Sequence, residues 1–194
     1  MEVRPRANQE VSRASRARVG VALVIVADGM FSASLAAGTV YLAALNVLGQ
    51  YRPANESAAP AIIGLLLSLL PVAAAACYWW GTRGLRSADE RRFITGLRLA
   101  LGLIGVAFVG QLVMLAGLGY RAPLHGYAST TILILAYHAV HLVAAGIVGS
   151  MILSRMVTGR LLGQGYLAEV VGYWWYYVAG AGVVFWLITL LTSI

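Results

Sequence analysis

Of the 194 residues, 60% are hydrophobic and 11% charged, whereas an ordinary soluble domain has roughly 45–50% apolar and about 25% charged residues. Mean hydropathy is +0.81, more apolar material than one globular core can hide, which excludes a soluble enzyme, a disordered chain and a secreted disulfide scaffold. The net charge of +7 rests on 14 arginines with no lysine, and in so apolar a chain its meaning depends on where the arginines fall.

One spanning helix takes about 20 mostly apolar residues, so the length accommodates several spans and no large water-exposed catalytic domain. Residues 1–18 read as a polar tail carrying Arg4, Arg6, Arg13, Arg16 and Arg18. The apolar stretch that follows, 19–48, is too long for a signal-peptide core and reads as the first span. Loop residues Arg52, Pro53, Asn55 and Glu56 separate it from a second span at 61–81, which ends in Tyr78, Trp79 and Trp80 as an aromatic belt at headgroup level. A loop with Arg83, Arg86, Asp89, Glu90, Arg91 and Arg92 leads to a third span at 93–118. The fourth and fifth spans are 127–154 and 167–192. The expected fold is therefore all-α, an integral membrane bundle of five transmembrane helices forming a single domain over 19–192.

Five spans put the termini on opposite sides. Twelve arginines fall on the N-terminal side, against Arg52 and Arg121 on the other, so the positive-inside rule predicts a cytoplasmic N-terminus and a C-terminus outside. Basic loops that set topology and touch anionic lipid account for the charge without nucleic acid as a partner. The single cysteine, Cys77, allows neither an intramolecular disulfide nor a CxxC site. Small residues in spans one, three and four (Ala33, Ala36, Ala37 and Gly38; Gly102 and Gly105; Ala144, Ala145, Gly146 and Gly149) are expected to form seams where helices approach closely.

An ionisable group at bilayer depth costs about 2.5–3.5 kcal/mol on insertion scales, so each one needs an explanation. The candidates are Asp28, Gln111, His138, His141 and Glu169. His138 and His141 share one helix face at i, i+3. At 1.5 Å per residue, Asp28 lies about 13 Å from the cytoplasmic start of its span, and the two histidines fall at nearly that level. The set reads as a neutral polar link between helices or as a proton relay. A metal site would need further ligands on other spans. Haem ligation is disfavoured because both membrane histidines sit on one helix and His125 lies in a loop. No serine or cysteine with a neighbouring base offers a nucleophile, so no active site is expected on this chain.

The segment Tyr127-Ala128-Ser129-Thr130 followed by Tyr137-His138-Ala139-Val140-His141 resembles the haem–copper oxidase subunit III family, where a Y-G-S-T run precedes F-H-G-L-H at this spacing. Ala27-Asp28-Gly29-Met30-Phe31 is similar to that family's S-E-x-M-F run, with Asp28 in place of its intramembrane glutamate. Phe108 to Gln111 resembles F-x-x-Q, and Glu169 before Tyr173-Trp174-Trp175 resembles E-A-A-A-W-Y-W. The matches follow family order, and five spans correspond to its shorter members. Met114, Tyr176 and Ala179 depart from the family's second acid and its final histidine and aspartate.

The resemblance implies a non-catalytic accessory subunit of a terminal oxidase in a bacterial plasma membrane. Haem and copper would be on the partner subunit. This chain would pack on catalytic subunit I, with subunit II in the same complex, and would hold phospholipid. It implies respiratory electron transport from cytochrome c or quinol to oxygen, coupled to proton translocation, all on the partner. Arg83, Arg86, Arg91 and Arg98 are the expected lipid contacts. Asp28 is expected to pair with His138 or His141. The accessory subunit of nitric oxide reductases, which shares these motifs, and a small proton-coupled transporter are the alternatives.

Overall fold

The computed structural model describes residues 4–46, 49–53, 57–119, 121, 124–161 and 164–193, with side chains from residue 11 onward. Among them are five helices and no strand: α1 (Arg4–Ala44), α2 (Ala61–Arg86), α3 (Glu90–Gly117), α4 (Gly126–Val157) and α5 (Gly165–Leu191). Each is long and apolar enough to cross a membrane.

The expected first boundary moves. α1 begins at Arg4, so the arginine-bearing segment expected as a tail is helical. Arginine, alanine, glutamine and glutamate are all good helix formers, and Pro5 falls in the first turn, where its missing N–H costs nothing. The helix stops at Ala44; residues 47 and 48, expected at the end of the first span, lie outside the described set.

Chain breaks follow local chemistry. Asp89 caps α3 by accepting from the Arg92 amide at 3.0 Å. His125, expected in a loop, caps α4 by accepting from the Ala128 amide through Nδ1 at 3.1 Å. α4 ends in a Schellman turn: the Arg160 amide reaches the Arg155 carbonyl and the Gly159 amide the Met156 carbonyl. Its glycine takes φ 68°, open to glycine at little cost.

Helices α2, α3, α4 and α5 pack in a ring, each against its two neighbours, and α1 lies outside on α5 and α4. The core is built from Tyr78, Phe93, Leu97, Leu142, Trp175 and Val178 with alanines between them. The tightest seam is α2 on α3. A Cβ on Gly96 would lie 2.7 Å from the Gly81 Cα and 2.7 Å from the Cys77 carbonyl oxygen, so only glycine permits this approach. The expected seam residues behave otherwise in part. Gly38, Gly102 and Gly105 have no atom near the position a Cβ would take, and Ala33 and Ala37 are exposed. Gly149 does form a seam, under Trp175 and Leu101.

The expected aromatic belt also divides. Trp79 and Trp80 are exposed, with Arg83 and Arg92 stacked over them at 3.7 and 4.9 Å from the ring centroids. Tyr78 instead turns fully inward, stacks on Trp175 and donates to the Ala168 carbonyl at 2.6 Å.

Candidate functional site

Two polar clusters lie inside the apolar spans, and α4 contributes a histidine to each. The first is centred on Asp28 in α1. Tyr137 of α4 donates to its Oδ1 at 2.6 Å, and the Tyr177 hydroxyl of α5 donates to Oδ2. His141 Nε2 lies 2.8 Å from the same Oδ2. Ser32, one turn along α1 from Asp28, joins the two tyrosine hydroxyls at 3.2 and 2.9 Å. The His141 ring is sandwiched by aromatics, stacked on Trp174 at 5.4 Å and edge-on to Tyr137 at 4.3 Å. The Asp28 side chain is 22% exposed and that of His141 7%.

The geometry counts the protons. His141 Nδ1 faces the Tyr137 carbonyl oxygen at 2.8 Å, an acceptor only, so Nδ1 carries a hydrogen. One further proton then lies between Nε2 and the carboxyl of Asp28. If it is on the nitrogen, the pair is imidazolium and carboxylate; if on the oxygen, it is imidazole and acid. Net charge is zero in both. The cluster thus avoids the cost of an isolated carboxylate in hydrocarbon, and moving the shared proton changes no contact.

The second cluster joins α3 to α4. Gln111 donates through its amide nitrogen to the Leu135 carbonyl, and its oxygen faces His138 Nδ1 at 3.0 Å. His138 Nε2 lies 3.4 Å from the Val178 carbonyl of α5. Both side chains are buried, at 4% and 5% exposure.

Of the residues singled out in the sequence, Asp28 and His141 come together, as do Gln111 and His138. Asp28 pairs with His141 and not His138. The two histidines are three positions apart, so about 60° separates them around a helix of 3.6 residues per turn. That turn directs one ring to α1 and the other to α3. Glu169 belongs to neither cluster. It sits at the arginine-rich end, half-exposed, bonded to Arg18 at 2.8 Å and accepting from Tyr173 at 2.6 Å. Ser32 and Tyr177 were not singled out. A serine one turn from Asp28 is the available signal for the first, while Tyr177 is hidden in a run of five aromatic residues.

The four candidate lipid-binding arginines also separate. Arg83 and Arg86 line a cavity of about 420 Å³ between the arginine-rich ends of α2 and α5, together with Trp79, Glu169 and Tyr176. Arg91 and Arg98 are exposed on α3 and do not line it. Among the described residues, no group of three His, Cys, Asp or Glu side chains is placed to hold a metal ion.

No protein-family model matches the sequence, and comparison with curated proteins returns no relative.

Proposed function

We propose that this chain is a non-catalytic accessory subunit of a terminal haem–copper oxidase in the bacterial plasma membrane. In this role it stabilises the catalytic subunit and holds phospholipid. The observation that carries the reading is the convergence of the motif residues. Segments far apart in sequence, which resemble subunit III in family order, supply the two halves of each cluster: Asp28 with His141, and Gln111 with His138. Polar groups in any membrane bundle tend to pair, so what favours this reading is the pairing of the same residues that carry the resemblance. The amphipathic cavity at Arg83, Arg86 and Trp79 is suited to a phospholipid headgroup, with guanidinium groups for the phosphate and aromatic rings for the glycerol region.

A second reading has its own observation. The proton shared between Asp28 and His141 at mid-membrane is what a small proton-coupled transporter needs. One experiment separates the two. Tagged chain is drawn from native membranes in mild detergent, a dithionite-reduced spectrum is recorded, and co-purifying peptides are identified. Reduced-haem bands with a large polytopic partner are expected, and the haem types then distinguish an oxidase from a nitric oxide reductase. A colourless particle containing this chain alone overturns the subunit reading and leaves the transporter.

A further inference from the structure

The Gln111–His138 pair leaves one nitrogen without a donor. The Gln111 amide nitrogen is committed to the Leu135 carbonyl, which turns the amide oxygen toward His138 Nδ1 and fixes the hydrogen there. In a neutral imidazole, Nε2 is then an acceptor. The atom it faces, the Val178 carbonyl oxygen at 3.4 Å, is also an acceptor. Two lone pairs therefore face each other, in a side chain 5% exposed. Leaving a buried acceptor without a donor is costly, and buried polar atoms nearly always find one.

His138 borders a cavity of about 40 Å³ enclosed by α2, α3, α4 and α5. At about 10–15 Å³ per water on this measure, it has room for about three or four molecules. Its lining extends to Ala59, Pro60 and Leu190, at the arginine-poor end. Ser68, also on its wall, donates to the Leu65 carbonyl at 2.8 Å and keeps its oxygen lone pairs for another donor. Two glycines keep the space and the ring in place. A Cβ on Gly182 would sit 2.7 Å from His138 Nε2, and one on Gly64 would sit 2.7 Å from the Trp186 ring. Trp186 is itself held by donating to the Ala61 carbonyl at 3.1 Å. His138 is the single titratable side chain among the lining residues. The Asp28 cluster is set apart by Phe185, whose ring lies 5.8 Å from Tyr137 and 6.4 Å from His138.

We propose that this cavity is a water site in which solvent from the arginine-poor face donates a hydrogen bond to His138 Nε2. The two histidines of α4 then live in different environments: His141 is locked to a carboxyl, and His138 is in contact with one aqueous phase. The proposal stands on these side chains alone and holds for a subunit or a transporter.

Two measurements on the full chain in lipid nanodiscs test it. The first uses a Cys77→Ala background and compares Ser68→Cys, on the cavity wall, with Val109→Cys, which is 59% exposed on the outer surface of α3. Thiolates form where water reaches, so silver ions should block Ser68→Cys about tenfold faster than the lipid-facing control. Equal rates overturn the proposal. The second leaves the site intact. Nitrogen-15 spectra of the labelled histidines, with His138 assigned from the peak lost in His138→Asn, should show an acceptor-type Nε2 with a cross-peak to water. A doubly protonated ring, or an Nε2 without water contact, overturns it.

Discussion

Three side chains from two other helices converge on the carboxyl of Asp28, and their donors decide what can replace it. In Asp28→Asn, the amide oxygen still accepts from Tyr137, and the amide nitrogen can donate to His141 Nε2 while Nδ1 stays on the Tyr137 carbonyl. Tyr177 loses its bond to the carboxyl and falls back on Ser32, at a cost of about 1 kcal/mol for one interhelical bond. Asp28→Leu removes all three bonds, strands His141 Nε2 and leaves the two tyrosines to share Ser32, and should cost about 2–4 kcal/mol. Thermal unfolding of the purified protein, followed by tryptophan fluorescence, should therefore rank wild type, Asp28→Asn and Asp28→Leu in that order, with Asp28→Asn near wild type. If the asparagine variant falls as far as the leucine one, the pair needs its full ionic form. The histidines act on separate partners, so His138→Leu and His141→Leu should each cost about 1–2 kcal/mol. A melting temperature unchanged in both variants would deny either histidine a structural role. The polar residues were legible because an ionisable group in an apolar run is anomalous whatever the fold. Their pairing was not, since choosing between His138 and His141 needs the rotation of α4 about its axis, which Gln111 and Gly182 set through packing. Ser32 and Tyr177 carry no such anomaly, because hydroxyls are common in membrane helices.

Helix number and approximate bounds follow from hydropathy, because a 30 Å core imposes a length that sequence displays directly. Which faces meet does not follow. Glycine serves a close contact and an empty lipid-facing groove equally well in sequence, so Gly96 at the α2–α3 seam and Gly102 on the outer face of α3 look alike. Their substitution should not. Gly96→Ala drives a Cβ to 2.7 Å from two backbone atoms that cannot turn away, and overpacking of this kind costs about 1–3 kcal/mol. Gly102→Ala meets nothing within 4 Å, and it gains about 0.5–1 kcal/mol of helix propensity. Thermal midpoints should move in opposite directions, and a fall in both would place Gly102 in a contact that the chain by itself does not make. The helical start of α1 is hard to read for a related reason. Polarity marks where the hydrocarbon stops, whereas propensity, the better guide beyond it, favours helix from Arg4 onward.

The described residues form a ring of four helices with a fifth outside. α1 is bonded to the others at Asp28 and at the Arg18–Glu169 ion pair, and 6% of its most apolar window is buried, against 28–39% in the other four spans. The same ion pair fixes which charges share an end. Arg18 reaches Glu169, Glu169 lines the cavity of Arg83 and Arg86, and Arg155 reaches Gln164 at 3.3 Å just before α5 begins. The arginines counted together from sequence thus gather at one end, with Arg52 and Arg121 left for the other. Arginine within about 15–20 residues of a span is what sets orientation, and acidic residues near it count for little. With so large a bias, the arginine-rich end should be cytoplasmic. A fluorescent protein fused before Met1 should fold and glow in the cytoplasm, and alkaline phosphatase fused after Ile194 should be active on the far side. The two results are independent measures of one odd number of spans. A glowing N-terminal fusion with an inactive C-terminal phosphatase, or a dark N-terminal fusion with an active phosphatase, means that one helix fails to cross. α1 would be the first suspect, since it buries least against the other four.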